Sequence, residues 1–168
     1  PHWFVEDLIA AMNADPSVGM ATPVLRCDRQ TYENFTEDRR NGRVGGTTAV
    51  FDSAMRALYF SKEVLPFIDP GKLPDPIPVF HHVGVYAYRP DALRAYTQSP
   101  VCQLEVLEGL EQLRFLAKTF PHTVWLNPVS ESMWGYTHTI MTISQIFPMY
   151  ELSLDGLEKA VEKLMVKN

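Results

Sequence analysis

Four side chains in two short stretches carry groups from which a polar binding cup can be built. In His81-His82-Val83-Gly84-Val85-Tyr86-Ala87-Tyr88-Arg89, Val83, Val85 and Ala87 alternate with His82, Gly84, Tyr86 and Tyr88. That period of two is the mark of a strand with one apolar and one hydrogen-bonding face. His82 and Tyr86 each offer a donor and an acceptor on the polar face. Gly84 between them removes a side chain and leaves room for a ligand beside the backbone. Farther on, Leu110-Glu111-Gln112-Leu113-Arg114 sets a carboxylate next to a carboxamide, a pair that accepts from and donates to hydroxyls. The structural alternatives are a strand whose polar tips bond to neighbours, and a solvated acidic helix face with Glu111 paired to Arg114.

The elements that position these groups follow from periodicity and breakers. Trp3, Phe4, Leu8, Ala11 and Met12 recur at helical spacing until Asn13-Ala14-Asp15-Pro16, so residues 3–13 form an amphipathic helix. The mostly apolar strand Val18–Leu25 follows, with Pro23 suggesting an edge or an irregular end. A helix leading into a buried strand is half of a βαβ unit, and its preceding strand is missing. Residues 26–46 read as an exposed polar loop containing Arg39, Arg40 and Arg43. Thr47–Asp52 and Met55–Ser61 form a hairpin around Asp52-Ser53-Ala54. Pro66, Pro70, Pro74, Pro76 and Pro78 make an extended connector to the key strand. Pro90 opens a short helix, closed before Pro100. A helix over 103–118 buries Val106, Leu110, Leu113 and Ala117 and groups Glu105, Glu108 and Gln112 on its other side, with Glu111 beside them. Residues 123–127 form a last strand, which Pro128 closes. Ser153 caps a final packing helix through Leu154, Leu157, Val161, Leu164 and Met165.

Composition bounds the function. With 168 residues, 46% of them apolar and 21% charged, the chain has material for a single globular domain over 1–168. A net charge of -5 supplies no basic footprint for nucleic acid. The longest uncharged span, 132–150, is interrupted too often by polar residues, Gly and Pro to cross a membrane. Cys27 and Cys102 lack CxxC or metal spacing, which fits a reducing, cytoplasmic setting.

Three runs taken in order carry a more specific signal: Ala57-Leu58-Tyr59-Phe60-Ser61-Lys62, His82 to Arg89, and Leu107-Glu108-Gly109-Leu110-Glu111-Gln112-Leu113-Arg114-Phe115-Leu116. Their order and spacing resemble the 3-deoxy-manno-octulosonate (Kdo) cytidylyltransferases, across roughly residues 3–127. The resemblance implies an α/β fold with a mixed, largely parallel sheet and flanking helices, of the nucleotide-diphospho-sugar transferase type. It implies a homodimer that joins CTP and Kdo with magnesium, for lipopolysaccharide synthesis. By the same resemblance His82, Tyr86, Glu111 and Gln112 line the sugar-acid pocket. Ser61-Lys62 matches the family's Ser-Arg pair, Lys62 replacing a two-pronged guanidinium with a point charge.

The family's N-terminal phosphate-cradling loop and its magnesium-binding Asp run have no counterpart here, and Glu151 is the one acidic candidate for a second metal contact. The expectation is therefore an N-terminally truncated chain, the sugar-binding and dimer-forming half, inactive alone because nothing neutralises the triphosphate. One alternative is a non-catalytic sugar-acid-binding or self-association module. Another keeps the fold with a related sugar, such as an 8-amino analogue or a sialic-acid-like acid.

Overall fold

Val, Met, Ala and Leu on both sides of one run make it a strand that water reaches on neither face. This is β1 (Val18–Arg26), buried throughout except at Arg26. In the computed structural model, residues 2–117 and 123–129 are described, with side chains from 5 to 117. All lie in one compact unit, Pro1–Glu131. The 132–150 stretch, the final helix and Glu151 lie outside the described residues.

Helix α1 (His2–Ala14) covers one face of β1, burying Leu8 and Met12 against Val18 and Ala21. Arg89 closes its C-terminal end: Nε donates to the Val18 carbonyl at 2.7 Å, and Nη2 donates to the Met12 and Asp15 carbonyls. A cation there meets the negative end of the helix dipole. The other face of β1 builds the main core, in which Met20, Val24, Phe60 and Leu113 are fully enclosed.

The architecture is α/β, and the expectation of a largely parallel sheet is corrected. Strand β6 (Thr123–Val129) runs parallel to β1 along one side, passing through Pro128 rather than ending before it. The other side is shared, antiparallel, by β4 (Phe80–His82) against the C-terminal half of β1 and β5 (Ala87–Tyr88) against the N-terminal half. Strand β2 (Thr48–Phe51) pairs antiparallel with β4 and with β3 (Ala57–Ser61), giving the expected hairpin. The Asp52 carboxylate pins its turn, accepting from the Ala54 and Arg56 amides at 2.9 Å.

Pro23 is not at an edge. A strand residue turns its N–H and C=O to the same neighbour, and the Pro23 carbonyl accepts from Val83 N at the point where β4 gives way to β5. No ladder asks Pro23 for a donor there, so proline is tolerated in a central strand.

The exposed loop read over 26–46 contains α2 (Arg29–Arg40). Asp28 caps it, accepting from Thr31 N at 2.7 Å, and Phe35 anchors it in a small core with Cys27, Ile77 and Val79. Of the arginine trio, Arg39 and Arg40 are its last turn, and Arg43 pairs with Asp38 at 2.8 Å. After α3 (Pro90–Thr97) comes the second departure. The single helix over 103–118 is two pieces, α4 (Gln103–Glu108) and α5 (Leu113–Ala117), broken at Gly109 with φ +61°. The break shifts the helical phase, so Leu113 remains buried while Val106 and Ala117 face solvent.

Candidate functional site

The key stretch is not one strand. Between β4 and β5, residues 83–86 bulge, and Val85 N donates to the Val83 carbonyl at 2.7 Å, a tight turn around Gly84. Bulges of this kind re-aim side chains. His82 and Tyr86 are brought side by side, their ring centroids 5.5 Å apart. Gly84 is exposed, and a Cβ added there would meet nothing within 4 Å.

His82 is buried, packed edge-on against Phe60 at 5.0 Å, with Nε2 at 3.0 Å from the Thr22 hydroxyl. Burial, helped by the neighbouring His81, lowers its pKa to about 4, so the ring is neutral at pH 7. From Tyr86 an aromatic stack continues through Tyr88, Phe115 and Tyr96 and ends under the Arg114 guanidinium, 4.3 Å from the Tyr96 ring centre. Burial pushes the Tyr86 phenol up to about 12, and the nearby Glu111 carboxylate adds to the shift. The negative charge of Glu111 favours phenols that remain protonated donors.

The turn between α4 and α5 sorts four polar side chains into two kinds. Glu105 caps α4 through Cys102 and grips Arg114 in two places, Oε2 to Nε at 2.7 Å and Oε1 to Nη2 at 2.5 Å. The Arg114 bonds hold the Glu105 carboxyl below its ordinary range. Glu108 accepts from the Ser61 hydroxyl at 2.8 Å and from Lys62 N at 2.9 Å. The pairing of Glu111 with Arg114 is thus absent: across the broken helix the guanidinium reaches Glu105 instead. Glu111 and Gln112 make no hydrogen bond to the described residues through their side chains, although Gln112 is only 5% exposed.

Ser61 is buried and fully engaged, donating to Glu108 and accepting from Glu63 N at 3.0 Å. Its part is to fix the backbone from which Lys62 extends. The Lys62 ammonium lies across the end of α4, where a Cβ on Gly109 would come within 2.8 Å of Nζ. A Gly109→Ala variant should lose about 1–2 kcal/mol of stability from the left-handed backbone alone, read by urea unfolding. Unchanged stability would mean that Gly109 does not hold this conformation in solution.

Sequence reasoning missed Thr22, Glu105 and Glu108 as organising groups. Thr22 was visible as the one hydroxyl in an apolar run, since a buried polar group must find a partner.

The described residues hold no ready-made metal cluster. No three His, Cys, Asp or Glu side chains converge among them, and Glu105 and Glu108 are already engaged as above. No helix among them is long and apolar enough to cross a membrane.

Comparison with known proteins adds a family-level match. The family model described as cytidylyltransferase covers residues 19–121. The 3-deoxy-manno-octulosonate cytidylyltransferase of Maricaulis maris is 39% identical over 127 residues, 75% of this chain and 48% of the relative. The 8-amino-3,8-dideoxy-manno-octulosonate cytidylyltransferase of Shewanella loihica is 38% identical over 113 residues, 67% of this chain and 42% of the relative. The solved structure of a CMP:2-keto-3-deoxy-manno-octonic acid synthetase complexed with CTP superposes with a TM-score of 0.61 at 25% identity, covering 83% of this chain and 56% of that one. The chain therefore spans about half the length of the curated relatives it matches.

Proposed function

The chain belongs to the cytidylyltransferase family, and from that premise we propose that in full-length form it transfers CMP from CTP to Kdo, giving CMP-Kdo and pyrophosphate for lipopolysaccharide synthesis. The observation that carries the reading is the contrast at the α4–α5 turn. Glu105 and Glu108 are tied into the protein, while Glu111 and Gln112 have no side-chain hydrogen-bond partner among the described residues, and His82 and Tyr86 stand side by side. Polar groups held ready in this way suit a ligand rich in hydroxyls.

In the reaction a sugar hydroxyl attacks the α-phosphate of CTP and pyrophosphate departs. The part assigned to these residues is orientation. His82, Tyr86, Glu111 and Gln112 hold the sugar so that the attacking oxygen is aligned, which is where much of the rate of such transfers originates. Lys62 meets the sugar carboxylate as a point charge. When bound, magnesium would neutralise phosphate charge; its ligands are assigned to residues other than those described, Glu151 remaining a candidate. A homodimer working in the cytoplasm, where CTP is supplied, completes the proposal. The Shewanella relative keeps the 8-amino analogue of Kdo as a second substrate reading.

Two measurements test it. Titration calorimetry on the chain should show heat with Kdo. The complete gene product, given CTP, magnesium and Kdo, should release pyrophosphate in proportion to the sugar. Faster release with the 8-amino sugar would select the second reading. No release with any octulosonate would overturn the proposal in favour of a non-catalytic module, which sugar binding without turnover would then define.

A further inference from the structure

Thr22 is completely buried in β1, and its hydroxyl has three polar neighbours: His82 Nε2 at 3.0 Å, the Val83 carbonyl at 3.0 Å and the Val85 carbonyl at 2.8 Å. Proton accounting at this junction has one solution. A hydroxyl owns a single proton and a carbonyl can only accept; giving that proton to His82 would leave two carbonyl oxygens at 3.0 and 2.8 Å facing the bare hydroxyl oxygen, so the Thr22 proton goes to a carbonyl. The Val85 oxygen is the closer, and the Val83 oxygen already accepts from Val85 N. The hydroxyl then has only lone pairs to offer His82. Nε2 must donate, and so it must carry the ring proton.

A neutral imidazole has one N–H. With that proton on Nε2, Nδ1 is left as a bare acceptor, and it makes no hydrogen bond to the described residues. Phe60 and Tyr86 flank the ring and limit its rotation. We propose that Thr22 is a positioning residue that locks His82 as the Nε2–H tautomer, so that Nδ1 accepts a hydrogen bond from a hydroxyl donor of the ligand and does not serve its carboxylate. The second half of this statement rests on the reading of His82 as a sugar contact; the first half does not. A carboxylate has no proton to give to Nδ1, which leaves the acid group to a cation such as Lys62.

The tautomer is read directly from long-range proton–nitrogen correlation spectra of the chain at pH 7, without ligand, the His82 signal being identified by its loss in His82→Gln. Wild type should show a protonated Nε2 and an unprotonated Nδ1. Thr22→Ser, which keeps the hydroxyl, should show the same pattern. Thr22→Val, of matching shape, should shift the ring toward the Nδ1–H form and weaken Kdo binding about tenfold, the usual worth of one misdirected hydrogen bond. A wild-type ring protonated on Nδ1, or an unaltered tautomer in a folded Thr22→Val protein, would refute the lock. Should Thr22→Val fail to fold, the wild-type and Thr22→Ser spectra still decide. If the tautomer is as stated but wild type binds no sugar acid, the lock stands and the sugar-contact reading fails.

Discussion

Between pH 7.5 and pH 5 the unfolding free energy of this chain should fall by roughly 2 kcal/mol for each of two histidines, a large share of a domain's usual stability. Burial lowers both His81 and His82 from 6.5 to about 4, the charge of His81 adding to the shift at His82. The sign follows from where the protons go. In this window the unfolded chain binds protons at both rings and the folded chain does not, so acid favours unfolding. The contribution is complete above pH 6.5, declines as pH falls below it, and is gone once pH passes the folded value near 4.

Carboxylates do not confuse the window. Asp15, Asp52 and Glu105 are also lowered on folding, by hydrogen bonds from Ser17, Arg56 and Arg114, and they lose their contributions in the same direction but at more acid pH. Urea unfolding at pH 7.5, 6 and 5 measures the slope. The double variant His81→Gln, His82→Gln should remove most of it. A wild-type stability flat across this range, or a double variant with an unaltered slope, would show that the rings are not buried neutral.

His82 and Tyr86 show how far the sequence could be read. The alternation around His82 and Tyr86 announced an element with two faces, and those residues are indeed neighbours. What alternation cannot contain is the bulge at 83–86, because it is set by Thr22 and Pro23 some sixty residues earlier in the chain. Helix α1, the β2–β3 hairpin and α3 were legible because period and breakers agree in each. Helix α2 was not. It has few apolar residues, and beyond the local Asp28 cap it is held by the single buried anchor Phe35, which packs on Ile77 and Val79 from a distant part of the chain.

The misread direction of the sheet has a similar origin. A helix followed by a strand suggests parallel neighbours, yet β1 takes its shared side from β4 and β5, which arrive antiparallel. At the α4–α5 turn, a continuous helix would have let Arg114 pair with Glu111, the structural alternative read from the sequence. One left-handed glycine redirected it to Glu105 and released the two groups on which the functional proposal depends. Residue types thus named the chemistry, while a non-local turn decided which of them was available.

Gln112→Met should therefore weaken binding and leave stability nearly unchanged. Gln112 is only 5% exposed, yet its amide, which makes no hydrogen bond to the described residues, is not among their fully enclosed unpartnered atoms and so keeps contact with solvent. Replacing it with an apolar side chain of similar length breaks no hydrogen bond to the described residues, so the variant should melt within a few degrees of wild type. The complex behaves otherwise. If the amide finds its partners only on the sugar, the variant leaves ligand hydroxyls facing a thioether, and Kdo affinity should drop about 10–100-fold. In the complete gene product the loss should appear in kcat/KM for Kdo, with the KM for CTP unchanged, since the contact is made to one substrate only. Calorimetric titration alongside thermal unfolding reads both quantities on one preparation. A variant that is destabilised yet binds Kdo normally would mark Gln112 as a structural amide bonded within the protein, and would remove it from the sugar site.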